Sequence, residues 1–199
     1  MRTDIMKKHT IFAVAASAFL SLSSFGSLAD MTLVEDQSSI NFVSTKNQHV
    51  SEQHTFDRFS GVLDEKGKLT ITIDITSVNT IIPIRNERML KMLFDVSKYT
   101  TATFTANVAP ELTQLKAGEL KRSTIVGEMM IAGNKAPVSF DVVLIGLQNG
   151  RVNATTTKPT IISTSAFNLD EGVSALQQIA MLSSISKTVP LSFSATFQK

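Results

Sequence analysis

Strict alternation of apolar and polar residues is the feature that most constrains how this chain can fold. In residues 69–76 (LTITIDIT), leucine and isoleucine alternate with threonine and aspartate. Because successive side chains of a strand point to opposite faces, the pattern predicts an antiparallel strand with one buried and one exposed face. The same alternation occurs in residues 191–197 and 102–106, and more weakly in residues 39–42.

Other segments bring the expected number of strands to eight or nine. They are residues 56–63, 123–131, 138–147 and 151–157, with turns at 64–67, 133–135 and 148–150. Two segments have helical spacing instead: residues 85–94, and residues 173–185 with Asp170 or Glu171 near the N-terminus. The sequence therefore predicts an all-β domain of antiparallel strands with one or two short helices, and about eight such strands can close into an antiparallel eight-stranded β-barrel. A barrel of that size either fills with side chains or holds one small ligand.

The N-terminal 29 residues are typical of a secretory signal peptide. A basic region at residues 2–8 precedes an apolar run at 11–22, and residues 27–29 (SLA) fit a small-x-small cleavage site. A single membrane anchor is the alternative, but a spanning helix needs about 20 mostly apolar residues. We therefore expect cleavage after Ala29, export, and a mature domain over residues 30–199 with no further membrane span.

Charge and composition exclude several classes of function. Loss of the first 29 residues removes three basic residues and one acidic residue, so the formal net charge of +2 falls to zero. A neutral chain has no overall electrostatic footprint for nucleic acid or for an anionic membrane face. There is no cysteine, and no Gly-x-Ser-x-Gly elbow or glycine-rich phosphate loop is present. We therefore expect no catalytic residues, no metal and no cofactor.

An ordered set of residues over 38–145 resembles a known family, the YceI-like family of exported lipid-binding proteins. The resemblance begins at residues 39–42 (SINF) and is sharpest at residues 77–80 (SVNT), followed by Arg85-Asn86. The other members of the set are Phe56, Phe59, Ser60, Gly61, Leu90, Phe94, Tyr99, Phe104, Gly127, Met130, Gly133 and Val138.

This resemblance implies a lipocalin-like barrel with an elongated apolar cavity and a periplasmic location, without enzymatic activity. It also implies a lipid ligand of the isoprenoid quinone or prenyl phosphate class, and a homodimer is compatible with it. The inward strand faces would line the cavity with Phe42, Phe56, Phe59, Ile71, Ile73, Ile75, Phe104, Met130, Phe140, Phe193 and Phe197. Arg85 and Arg88 lie three residues apart, on one face if the segment is helical, and would bind a phosphate or quinone carbonyl at a polar mouth.

Each of these residues also has a simpler interpretation. An inward phenylalanine is more often core than ligand contact. The two arginines could form surface ion pairs with Glu87 or Asp95, or could tie the helix to the barrel rim. His49, Glu52 and His54 do not share one face of a strand or of a helix, so they make a poor zinc site.

Three functions follow from these patterns. The first is a periplasmic carrier of an isoprenoid-type or other amphipathic lipid. The second is a filled-barrel structural or stress-related protein-interaction module. The third and least supported is an enzyme on the same scaffold.

Overall fold

The computed structural model describes residues 30–199, so the predicted signal peptide lies outside the described residues. The strands are β1 (Met31–Leu33), β2 (Ser39–Lys46), β3 (Val50–Phe56), β4 (Phe59–Leu63), β5 (Lys68–Asp74), β6 (Val78–Asn79), β7 (Thr101–Asn107), β8 (Leu120–Ile131), β9 (Asn134–Gly146), β10 (Val152–Thr156), β11 (Thr160–Ser163) and β12 (Thr188–Gln198). The helices are α1 (Pro83–Arg88), which continues into a π-helical turn over Met89–Leu93, and α2 (Asp170–Ile179). Short 3-10 turns cover Glu35–Gln37, Ile75–Ser77, Pro110–Leu112, Gln148–Gly150 and Thr164–Phe167.

Eight strands close into an antiparallel barrel, which confirms the predicted fold class. β4, β5, β7, β8, β9, β10 and β12 pair in that order. β1 closes the ring because it pairs with β4 on one side and with β12 on the other. The barrel therefore encloses the inward faces of all eight strands.

The alternation in β5 places its apolar side chains inside the barrel. Leu69, Ile71 and Ile73 all line the interior cavity. The strand ends at Asp74, because the Asp74 carboxylate accepts a 2.8 Å hydrogen bond from the backbone N–H of Thr76 and starts a tight turn. Such local side-chain bonds compete with the strand ladder.

β2, β3 and β6 extend the wall at one end of the barrel. β12 pairs with β1 near its C-terminus and with β2 over residues 191–194, so one strand belongs to both parts. The predicted single strand over residues 56–63 is wrong, because the chain breaks between β3 and β4. At the break, the Thr55 hydroxyl donates to Asp57 at 2.6 Å and the backbone N–H of Arg58 donates to Ser77 Oγ at 2.9 Å.

Both predicted helices are present, with different ends. α1 begins at Pro83, and α2 ends at Ile179, six residues before the predicted end. The chain leaves the helix through Met181, whose φ is 51°, and Ser183 then binds Asn47 Oδ1 through its backbone N–H and its hydroxyl, both at 3.0 Å. Within the described residues, no helix is long and apolar enough to cross a bilayer.

Gly172 lets α2 approach the π-helical turn closely. A Cβ at this position would lie 2.7 Å from the Met92 carbonyl oxygen and 2.9 Å from Leu93 Cα. We expect Gly172→Ala to lower the free energy of unfolding by about 1–3 kcal/mol, because the two elements must separate. Urea unfolding checks this, with the exposed Ser174→Ala as control. A Gly172→Ala protein as stable as the control would contradict the close-contact argument.

Candidate functional site

The barrel encloses a cavity of about 120 Å³ whose wall is apolar. All eight barrel strands and β2 contribute side chains to it, together with the loop that follows β7. Among the described residues on the wall, Thr113 is the one with a polar side chain. The cavity therefore offers an apolar ligand contact on every side and almost no hydrogen-bonding partner.

Most of the predicted lining residues lie on this wall. Those that do are Phe59, Ile71, Ile73, Phe104, Phe140, Phe193 and Phe197. The other four, Phe42, Phe56, Ile75 and Met130, do not line the cavity.

Met130 was assigned to the wrong face of β8, and Met129 lines the cavity in its place. The strand carries apolar residues at both parities, so alternation alone does not choose between them. The register decides, because Met129 pairs with the inward-facing Phe104. Gly127, two residues before Met129, also approaches Phe104, since a Cβ there would lie 2.6 Å from its ring.

Phe42, Phe56 and Ile75 belong to a second apolar cluster under α1. The Phe42 and Phe56 ring centroids are 5.3 Å apart, and Phe56 meets Phe94 edge-on at 6.3 Å. Ile40, Phe59 and Ile73 are members of this cluster and also line the cavity, so the two apolar regions are continuous.

Three phenylalanine rings form a chain in the barrel interior. Phe140 contacts Phe104 and Phe193, with both pairs T-shaped and both centroid distances 5.2 Å. This geometry is the favourable one for aromatic pairs.

Arg85 lies in a polar cluster beside the second apolar cluster. Its Nη1 donates to Glu52 Oε2 at 2.9 Å, and its Nη2 donates to the Thr80 carbonyl oxygen at 2.5 Å. Lys46 Nζ also binds Glu52, at 2.7 Å. The hydrogen bond from Lys46 lowers the pKa of Glu52, and the positive charge of Arg85 acts in the same direction. Glu52 is therefore ionised and shared between two cations.

Arg88 is half-buried, and its side chain forms no hydrogen bond or ion pair with any described residue. Neither arginine forms the ion pair with Glu87 or Asp95 that was one alternative, since Asp95 binds Lys98 at 2.7 Å. Arg85 instead pairs with Glu52 and so ties α1 to β3. Of the two predicted mouth residues, Arg85 lies in the polar cluster, and Arg88 is the one whose guanidinium has no described partner.

His54 is 3% exposed and lies in the same polar cluster. Its Nε2 is 2.8 Å from Ser44 Oγ, whereas its Nδ1 has no partner. In the described part of the chain, this atom and Arg85 Nε are the two buried side-chain nitrogens or oxygens without a hydrogen-bond partner. Two unpaired polar atoms in one cluster mark a place where water or a polar ligand group is needed.

His49, Glu52 and His54 lie in three different environments. His49 is exposed on the β2–β3 hairpin, Glu52 is ion-paired and His54 is buried. Over residues 30–199, no group of three histidine, aspartate or glutamate side chains is arranged to hold a metal ion.

The buried His54 makes the stability of the fold depend on pH. Burial lowers the pKa of His54, and the positive charge of Arg85 lowers it further. Below about pH 6.5, His54 binds a proton in the unfolded chain, whereas in the folded chain it is protonated only at lower pH. The free energy of unfolding should therefore fall, by at most about 1.4 kcal/mol per pH unit, as the pH decreases from about 6.5 towards the lowered pKa. Chemical unfolding between pH 7.5 and 5 measures this.

His54→Gln should remove this pH dependence, whereas His49→Gln should retain it because His49 is exposed. The same slope in both variants would show that His54 is not its source.

An antiparallel barrel that encloses an apolar cavity, with a polar cluster near one end, defines a lipocalin-like β-barrel. The sequence profile of the YceI-like domain matches residues 31–197, which is nearly all of the described chain. The chain belongs to the YceI-like family, as the resemblance predicted. A search of curated proteins found no match.

Solved structures share this fold. A polyisoprenoid binding domain from Saccharophagus degradans, implicated in plant cell wall breakdown, is 31% identical, with a TM-score of 0.82 over 84% of this chain and 97% of that one. BcnA from Burkholderia cenocepacia is 23% identical, with a TM-score of 0.63 over 82% of this chain and 98% of that one. The YCEI protein of Campylobacter jejuni is 21% identical, with a TM-score of 0.53 over 73% and 84%. The last two similarities concern the fold alone.

Proposed function

We propose that this chain is a periplasmic binding protein that carries an isoprenoid-type or other amphipathic lipid in its barrel, without catalysis. The apolar wall of the cavity is the observation that carries the proposal. Membership of the YceI-like family and the 31% identical polyisoprenoid binding domain support it. The proposed ligand class is an isoprenoid quinone or a prenyl phosphate, and the proposed route is export with cleavage after Ala29.

The energetics favour a long apolar ligand. Each buried CH₂ group contributes about 0.8 kcal/mol. Ten such groups supply about 8 kcal/mol, which offsets much of an association cost of about 4–15 kcal/mol. The predicted lining residues that would contact the hydrocarbon chain of the ligand are Phe59, Ile71, Ile73, Phe104, Phe140 and Phe193.

A ligand with a long hydrocarbon chain fits only if the interior phenylalanine rings move. The cavity of about 120 Å³ is smaller than the roughly 300–1,000 Å³ typical of sites for drug-sized ligands. Separating Phe140 from Phe104 and Phe193 costs about 0.5–1.5 kcal/mol per pair. That cost is smaller than the gain from burying four CH₂ groups, about 3 kcal/mol.

The polar head group belongs at the polar cluster around Arg85 and His54. Arg85 Nε and His54 Nδ1 are buried and have no hydrogen-bond partner. A phosphate or a quinone carbonyl would supply an acceptor to the Arg85 guanidinium, and charge-assisted bonds of this kind are strong. The second apolar cluster then connects this head-group position to the barrel cavity.

The absence of catalysis is part of the proposal. Ser44 and His54 form the one described contact that resembles a nucleophile and its base. A triad needs a third group that orients the base. Nδ1 of His54 has no partner, so this group is missing. The pair therefore does not have the arrangement of a catalytic triad.

A filled barrel remains the second candidate. The small cavity and the packed chain of three phenylalanine rings favour it, because both are properties of an ordinary hydrophobic core. In that case the chain is a structural or stress-related module that binds a protein through its rim.

Mass spectrometry of organic extracts tests the proposal. The mature protein is purified from periplasm without detergent, and a stoichiometric isoprenoid or other lipid is the expected result. An empty protein whose melting temperature does not change when quinones or prenyl phosphates are added would overturn the carrier function, since a ligand of the folded state raises that temperature.

A further inference from the structure

The segment that leads into α1 exposes three isoleucines within four residues. Ile81, Ile82 and Ile84 are 86%, 43% and 52% exposed. Single exposed apolar residues are common on soluble proteins. A contiguous group of large ones marks an interaction surface.

Ile81 is also held in a strained backbone conformation. Its φ is 68°, in the left-handed region that a β-branched residue rarely adopts. Two local hydrogen bonds keep it there: Asn79 Oδ1 accepts from the Ile81 N–H at 2.9 Å, and Asn86 Oδ1 accepts from the Thr80 N–H at 3.0 Å. The strain directs an apolar side chain into solvent, where the fold gains nothing from it. Strain of this kind is concentrated at functional positions.

Unpaired positive charge lies on the same side of the helix. Ile84 and Arg88 are four residues apart on α1 and share one face. Lys91 is exposed on the π-helical turn that follows. Neither the Arg88 nor the Lys91 side chain has a hydrogen bond or ion pair with a described residue. Glu87 is the one carboxylate on α1 and the π-helical turn. The face therefore combines exposed isoleucines with a local excess of positive charge, although the mature chain is neutral overall.

The opposite face of this helix covers one end of the barrel. Met89 and Phe94 are buried in the second apolar cluster, together with Phe59 and Ile73, which also line the cavity. The exposed isoleucines and the cavity are thus on opposite sides of one short helical segment.

We propose that this surface, Ile81, Ile82 and Ile84 with Arg88 and Lys91, docks on an anionic phospholipid bilayer. The isoleucines would enter the region between the lipid head groups, and the two cations would contact lipid phosphates. The inference goes beyond lipid carriage, because it states where the protein meets a membrane. Docking requires no ligand in the barrel.

Vesicle co-sedimentation tests the proposal with the mature chain. The probes are vesicles of phosphatidylethanolamine and phosphatidylglycerol, with pure phosphatidylcholine for comparison. We expect binding to the anionic vesicles that weakens as salt increases, and little binding to phosphatidylcholine. The double variant Ile82→Ser/Ile84→Ser should reduce binding about tenfold or more. Lys91→Gln should reduce it several-fold.

Matched controls come from exposed apolar residues elsewhere on the surface. Val126 and Ile161 are 64% and 58% exposed, so Val126→Ser/Ile161→Ser removes a similar apolar area and should bind vesicles normally. Equal loss in this control would overturn the proposal. So would equal binding to both vesicle types, or no binding by the unmodified protein.

A fluorescent reporter gives an independent readout. The chain contains no tryptophan, so Ile84→Trp introduces a unique emission signal at the proposed contact. The emission should shift to shorter wavelength on anionic vesicles, and that of Ile161→Trp should not. An unshifted Ile84→Trp would overturn membrane insertion and leave a protein partner as the occupant of this surface. Neither experiment needs the barrel to bind lipid, so its outcome is separable from that of the proposed carrier function.

Discussion

Ala154→Phe is expected to lower the affinity for a long isoprenoid about a hundredfold while the barrel stays folded. Ala154 lines the cavity on β10 and pairs with Ala195 on β12, so two small side chains face each other there. A phenyl ring in this space displaces about four CH₂ groups of ligand, which is about 3 kcal/mol. Titration calorimetry with a prenyl phosphate or a quinone measures the loss, and thermal unfolding measures the stability.

The two candidate functions differ in what this substitution does to stability. If the cavity receives a ligand, the ring occupies existing space and the free energy of unfolding changes by less than about 1 kcal/mol. If the barrel is fully packed, overpacking costs about 1–3 kcal/mol. Ser139→Phe is the control, because Ser139 is exposed on the outside of β9. Unchanged affinity in Ala154→Phe would place the ligand outside the barrel.

The barrel could be predicted from the sequence because its strands carry their signal locally. In β5 and β12, alternation alone identified the residues that face inwards, and the structure places Ile71 and Phe193 on the cavity wall. The short strands β1, β6 and β11 were not predicted, since runs of two to four residues are too short to show an alternating pattern. β1 closes the barrel by pairing with β4 and β12. Because β1 was not predicted, the sequence did not show how the barrel closes.

The polar part of the candidate site could not be predicted from local sequence patterns. Arg85 binds Glu52 across 33 positions, and Ser44 binds His54 across 10. Only the folded chain brings such residues together. Arg85 and Arg88 were correctly placed on a helix, but spacing could not show that one guanidinium is engaged and the other unpaired.

A strand with two apolar faces is the hardest case for sequence patterns. In β8, Ile125 and Met129 face inwards whereas Val126 is exposed. The choice between these faces is made by pairing with β7, where Met129 lies opposite Phe104. An error of one residue in parity reverses every side chain of a strand, which is why Met130 was assigned to the cavity.

Phe140→Ala is expected to cause the largest loss of stability, about 3–5 kcal/mol. The Phe140 side chain is buried and contacts both Phe104 and Phe193 at 5.2 Å. The substitution removes both aromatic contacts and leaves a void next to the existing cavity. For a domain of this size, we expect the melting temperature to fall by roughly 6–20 °C, which thermal unfolding followed by circular dichroism measures.

Phe140→Ala should lower the stability of the protein without lowering its affinity for lipid. Phe140→Ala enlarges the cavity at the point where the rings must otherwise move, so the ligand no longer has to separate two aromatic pairs, each worth about 0.5–1.5 kcal/mol. The affinity for an isoprenoid should therefore be retained or increased, and saturating ligand should restore part of the lost melting temperature. Val126→Ala, on the exposed face of β8, should change the free energy of unfolding by no more than about 0.5 kcal/mol. A Phe140→Ala protein as stable as this control would mean that the three rings do not organise the interior, and the filled-barrel alternative would lose its main support.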